Sequence, residues 1–198
     1  SRGKAPEDQA IHGLDVSEPR IAVEKAAQLR WTHRYVVRQT DQLQNPNSAI
    51  TLIPLVHGHL LSDYAESAHG IGTFDSARFF FKFWEVIEFD PWWLLSQSTV
   101  NSTQFFGGRE SILRWENESG GLVEMIGQMR LQGYSSGKWK AGYQVWRRLG
   151  VTVSLMSELP VCLYTGEPFD ENTGVIVPRS PMYLPAIWSF CSSQEFHN

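Results

Sequence analysis

The spacing of apolar positions divides the chain into two unlike parts. From residue 18 to 45, Ala22, Ala26, Leu29, His33, Val36, Thr40 and Leu43 recur at helical steps, while Glu24, Lys25, Arg30, Arg34, Arg38 and Asp41 occupy the other faces. That spacing predicts one amphipathic helix of roughly 25 residues. Ser17 is placed to cap it, Pro19 suits its first turn, and Asn45-Pro46-Asn47-Ser48 stops it. A lone helix of this kind has little to pack on and reads as a connector. Residues 1–17 read as a flexible polar leader, 18–56 as helical connector and linker, and 57–198 as the main domain.

Beyond residue 57 the pattern shortens and changes type. Ala49–Val56 is apolar, but Pro54 restricts it to an edge strand or an extended linker. Leu60, Leu61, Tyr64, Ala65 and Ala68 suggest a short helix closed by Gly70. Thr73, Asp75 and Ser76 are placed to cap a further helix that opens with Arg78, an arrangement suited either to a plain capped helix or to a phosphate. Phe79, Phe80, Phe81, Phe83 and Trp84 read as core, and Pro91–Leu95 as extended chain. Gly107-Gly108 forms a turn before Arg109, and 109–117 alternates as a strand. Gly150–Met156 alternates as a half-buried strand, and Leu159–Ser193 reads as strand, turn, strand, helix. The fold class that follows is α+β: a mixed sheet with helices packed on one side, preceded by a helical connector.

Composition sharpens this picture at three points. In 198 residues, 42% are hydrophobic and 13% aromatic, with eight Trp, which suffices for a packed core. No apolar run approaches the ~18 residues of a membrane span. Cys162 and Cys191 lie in apolar patterns and read as buried free thiols, which fits a reducing cytoplasm. His57-Gly58-His59 has no carboxylate or cysteine at ligand spacing, so no metal site is assigned there.

Charge is the third point. The net charge is −4, yet no Asp or Glu occurs from Met125 to Ser157, where Arg130, Lys138, Lys140, Arg147 and Arg148 give a local +5 and leave −9 elsewhere. Gln132, Tyr134, Ser135, Ser136, Gln144, Trp139, Tyr143 and Trp146 are interleaved, and Gly133, Gly137 and Gly142 make the window loop-like. Lys and Arg suit phosphates and guanine, and Gln suits adenine, so a basic loop on an acidic domain fits base reading. A solvated surface loop and an RNA or single-strand stacking surface are the alternatives. Arg109 is open in the same way: a phosphate or guanine contact, or the partner of Glu110 or Glu116. Glu167, Asp170 and Glu171 read as solvated turn residues.

Three blocks of the chain carry a resemblance. Gly70, Ile71, Thr73, Asp75, Arg78, Phe79, Phe83, Trp84 and Glu85 fit a "GIxTGDxxRFxRxFWE" pattern, with Phe74 in place of its second Gly. Gln97-Ser98-Thr99-Val100 onward resembles "QSTVxxTxxYGGREHxLxWExG", and Leu159–Phe196 resembles "LPVxLYTGExFDxNxAVIxPxxPxxLPAIWxFCSSPEF". In these blocks the chain resembles the segment downstream of the catalytic domain in bacterial adenine-N6 DNA methyltransferases, particularly type IIG restriction–modification enzymes and phage-defence methylases.

The resemblance implies a target-recognition domain over 57–198, cut from a longer protein, whose partners are double-stranded DNA and the catalytic domain of the same chain, with no membrane. Its candidate DNA contacts are Thr73, Arg78, Arg109, Arg130, Gln132, Lys138, Lys140, Gln144, Arg147 and Arg148. No catalytic residue is expected, because the Asn-Pro-Pro-aromatic loop that holds a flipped adenine is not among these residues. S-adenosylmethionine is likewise expected in the catalytic domain, not in this segment. The alternatives are a docking module that reads no bases and an RNA or single-strand binding module.

Overall fold

Strand pairing begins inside the expected leader. The computed structural model describes residues 9–43, 45, 49–52, 59–156 and 158–197. In it β1 (Ala10–Leu14) runs antiparallel to β2 (Arg34–Arg38), with Ala10 opposite Arg38 and Leu14 opposite Arg34. The single long helix is therefore corrected. Its place is taken by α1 (Ala22–Trp31), β2 and the single turn α2 (Gln39–Gln42). Thr32 leaves the helical region with extended backbone, its N–H still donating to the Gln28 carbonyl. The reason lies in Tyr35, Val36 and Val37, aromatic and β-branched residues that favour a strand once a partner strand exists. Of the apolar stretch ending at Val56, residues 53–56 lie outside the described residues, as do His57 and Gly58.

The chain divides by contact into two units, 1–58 and 59–198. In the second, α3 (Leu61–Tyr64) is one turn long and gives way to β3 (Ala65–His69), so the expected helix through Ala68 is also corrected. The cause is pairing with β9 (Thr173–Pro178), Ala65 opposite Pro178 and His69 opposite Gly174. With β7 (Gly150–Ser154) and β8 (Val161–Tyr164) these strands make a four-stranded antiparallel sheet ordered β3-β9-β7-β8.

Alternation along each strand splits the apolar residues between the two faces of this sheet. Ala65, Val151, Val153, Val161 and Ile176 pack with Ile187 and Cys191 of α6 (Leu184–Cys191). Ala68, Tyr164, Val175 and Val177 pack with Val145 and Phe169 on the other. Both faces of β7 are thus covered, and all five of its residues are buried, where a half-buried strand was expected.

A smaller antiparallel sheet, ordered β4-β6-β5, comprises β4 (Phe80–Lys82), β5 (Trp93–Ser96) and β6 (Ser111–Arg114). The turn α4 (Ser76–Phe79) leads into it, and α5 (Gly121–Leu131) packs on it. Ile71, Phe79, Leu113, Trp115, Leu122 and Ile126 form the shared core. Two isolated parallel bridges, Ile71 to Asp170 and Gln97 to Phe169, tie this region to the β8–β9 turn. A last turn, α7 (Gln194–His197), follows α6.

The fold is α+β, but its ladders are antiparallel and distributed over separate sheets; the expected mixed sheet is corrected on that point. Among the expected core aromatics, Phe79 is buried, whereas Phe83 and Trp84 are exposed, because the chain turns outward in a 3₁₀ turn at Phe83–Glu85. Cys162 and Cys191 are buried free thiols, and burial pushes the Cys191 thiol up to about 11.

Candidate nucleic-acid interface

The acid-free window is not one loop. Its first part is the second half of α5, where Ile126 is buried and Met125 and Met129 pack on the small-sheet core. Its last part is β7. Between them, two 3₁₀ turns (Gly137–Lys140 and Tyr143–Val145) form an arch over the core.

Aromatic packing holds this arch down. The Trp115 ring lies 5.7 Å from that of Trp139, 6.3 Å from Tyr143 and 5.1 Å from Trp146, and Tyr143 meets Trp146 at 4.8 Å. Gly142 has φ 75°, and a Cβ there would stand 2.5 Å from Phe169 Cζ, so only glycine lets the arch approach the sheet this closely. The Gly72 N–H donates to the Lys138 carbonyl at 3.1 Å, fixing the other end.

The candidate contacts sort by what already holds them. Lys140 pairs with Glu118 and lies over the Trp139 and Tyr143 rings. Arg148 pairs with Glu66 and reaches the Pro178 carbonyl at 3.5 Å. Arg130 Nε donates to the buried Ser136 hydroxyl at 2.7 Å. Gln132, Lys138, Gln144 and Arg147 are exposed and have no side-chain partner among the described residues.

Arg147 is presented from a left-handed backbone at φ 63°, and its N–H donates to the Gly166 carbonyl at 2.8 Å. A Cβ at Gly166 would meet Arg147 Cα at 2.6 Å. Beside it opens a cleft of about 440 Å³, lined among others by Trp115, Asn117, Glu118, Tyr143, Trp146 and Arg147.

Three candidates lie apart from this surface. Thr73 is fully buried, with its hydroxyl 3.4 Å from that of Ser76, so as folded it meets no external ligand. Phe74 takes φ 63°, a left-handed conformation that favours glycine, so the turn carries local strain. Asp75 makes no side-chain cap bond, and α4 is a single turn, so the expected capped helix beside Arg78 is corrected. Arg78 is exposed, with its guanidinium carbon 5.2 Å from the Phe79 ring centroid.

Arg109 is a frame residue. It pairs with Glu167, donates to the Thr165 hydroxyl at 2.8 Å and to the Leu163 carbonyl at 3.0 Å, and lies 4.7 Å over the Phe106 ring. Its side chain is only 16% exposed. Neither Glu110 nor Glu116 is its partner. Glu167 is consequently not a solvated turn residue, nor is Asp170, which accepts from Ser98 Oγ and, at 2.9 and 3.1 Å, from the Asn172 N–H and the Thr173 hydroxyl.

Glu116 pairs instead with Arg114 at 2.7 Å and accepts the Gly121 N–H at the start of α5 at 2.6 Å. The Arg114 hydrogen bond holds its carboxyl below the ordinary glutamate range. Sequence reasoning missed the far wall of the cleft, Trp115 to Glu118. Glu116, Asn117 and Glu118 all have positive φ, and of these only Asn117 carries a residue-type signal for it.

A scan against protein-family models matches none, and the search of curated proteins finds no similar one.

Proposed function

We propose that this chain supplies the target-recognition domain of a bacterial adenine-N6 DNA methyltransferase acting in restriction–modification or phage defence in the cytoplasm. The observation that carries this reading is the arch 132–147: Lys138 and Arg147 exposed without side-chain partners among the described residues, alternating with the exposed amides of Gln132 and Gln144, on an otherwise acidic protein. Lysine and arginine neutralise phosphates and set register on a duplex, and a glutamine amide pairs bidentately with adenine in the major groove. The aromatic cluster beneath gives these side chains a rigid base. Methyl transfer, S-adenosylmethionine and the adenine-holding loop belong, in this proposal, to a catalytic domain of the same polypeptide.

The test is duplex binding by Lys138→Glu/Arg147→Glu. Two phosphate contacts removed lower affinity at about 100 mM salt by roughly 10- to 100-fold and flatten the salt dependence by about two in slope. Unchanged affinity and slope overturn the reading.

A second reading has its own observation. Phe83, Trp84, Ile87, Phe89 and Trp92 are exposed within ten residues of one another, an apolar surface suited to another domain. If the chain only docks the catalytic domain, the charge reversals leave cognate methylation by the full-length enzyme intact, while Trp84→Ser/Ile87→Ser abolishes it.

A further inference from the structure

We infer that the cleft between the arch and the Trp115–Glu118 turn seats a single unpaired nucleobase, displaced from a DNA strand lying along residues 132–147. This inference rests on the DNA-recognition reading and names a ligand for its site. At about 440 Å³ the cleft lies within the ordinary range for small-ligand sites. Its walls combine the rings of Tyr143 and Trp146 with an amide at Asn117, a guanidinium at Arg147 and the Glu118 carboxylate, which Lys140 already neutralises. Aromatic faces stack on a planar heterocycle of any sequence, and a mixed set of donors and acceptors suits the edge of a base. A fatty chain would leave the Asn117 amide and the Arg147 guanidinium unpaired.

Two further features mark the cleft as a built site. The Trp146 Nε1–H, on a residue of the cleft wall, is buried with no hydrogen-bond partner among the described residues, a donor that the fold itself leaves uncompensated. Backbone strain is also concentrated here. Of the six non-glycine residues with positive φ among the described residues, three line the cleft: Asn117 at 48°, Glu118 at 63° and Arg147 at 63°. Left-handed backbone costs free energy at each such residue and persists where the surrounding structure holds a ligand-binding geometry. A base arriving on a strand would bring its own phosphates to Arg147 and Lys138, whereas a free base would not.

The experiment compares two DNA duplexes of about 20 base pairs bound to the whole chain, each carrying one 2-aminopurine. In one the analogue is paired; in the other it is bulged. The bulged duplex is expected to bind roughly 10-fold tighter, with its emission quenched by stacking. Tyr143→Ala takes away the stacking face and, because Tyr143 also packs the arch onto Trp115 and Trp146, lowers affinity for both duplexes. It lowers the bulged duplex's further and so removes the preference, whereas Tyr143→Phe retains it.

Asn117→Gly supplies a variant that folds without penalty, since glycine accepts the positive φ, and loss of its amide lowers the preference by roughly 3-fold. Equal affinity for the two duplexes, or unquenched emission, overturns the base seat and leaves DNA recognition standing. Deoxyadenosine monophosphate binding as tightly as the bulged duplex overturns it in favour of a free-nucleotide site. Absence of binding to either duplex overturns the recognition reading, and the base seat with it.

Discussion

The four-stranded sheet and the arch 132–147 both border the same turn, Thr165–Pro168, yet treat charge in opposite ways. On the sheet side, Arg109 is drawn into the protein by Glu167, Thr165 and the Leu163 carbonyl. On the arch side, Arg147 is held at its backbone by Gly166 and leaves its guanidinium in solvent. Arg148, the next residue, again turns to a carboxylate, Glu66. Positive charge alone does not mark a nucleic-acid surface. What separates the candidates is whether folding has already supplied the counter-charge.

The largest expected effect removes the point where the two regions meet. Phe169 is fully buried, packs with Tyr164 at 5.5 Å and lies under Gly142. Phe169→Ala is expected to cost about 3–5 kcal/mol, read as a lower urea midpoint at unchanged slope. Because the arch rests on this ring, DNA affinity should fall in parallel with stability.

A smaller effect should divide the two regions. Arg109→Met leaves Glu167 with a lost partner and is expected to destabilise by about 2–3 kcal/mol, with DNA affinity nearly unchanged below the melting transition. Lys138→Glu/Arg147→Glu should do the reverse, weakening binding while shifting the unfolding free energy by less than about 0.5 kcal/mol. Equal stability losses in the two variants would erase the distinction between frame and arch.

The next effect follows pH. Glu116 titrates below an ordinary glutamate because Arg114 bonds its charged form, so its contribution is present above the unfolded value of about 4.3 and is lost as pH falls through the lower folded value. Wild type should therefore exceed Glu116→Gln by about 1 kcal/mol at neutral pH, and the gap should close as pH falls below the ordinary glutamate range. Thermal melts of both proteins across that range check the sign.

The smallest effect is a gain. Phe74 is strained at φ 63° and exposed, so Phe74→Gly should raise stability by roughly 0.5–1 kcal/mol, visible as a rise of a few degrees in Tm.

Legibility in the sequence followed the range of the interactions. Strand, turn, strand and helix across Leu159–Cys191 were readable because Val161, Val175–Val177 and Pro185 express local preferences that tertiary packing also satisfies. The connector helix was misread because the helical stripe passed over Tyr35 and Val37, and the choice was made by β1, a partner twenty or more residues earlier in the chain. Glu66 and Ser67 would have sat comfortably in a helix; register against β9 made them a strand. For the candidate site, the acid-free window was plain in the composition. Which of its cations stay unpaired was not, since Glu66 and Glu118 lie far from Arg148 and Lys140 in sequence.

By itself, then, the sequence determined the α+β class, the apolar alternation of the central strands, the two buried thiols and the location of the basic window, all of which depend on residue type and near neighbours. Only the tertiary structure decided which arginines are frame and which are surface, buried Thr73, and carried Asn117, Glu118 and Arg147 into left-handed backbone around one cleft. Those outcomes depend on contacts between segments tens of residues apart, and a contact of that kind has no local signature to read.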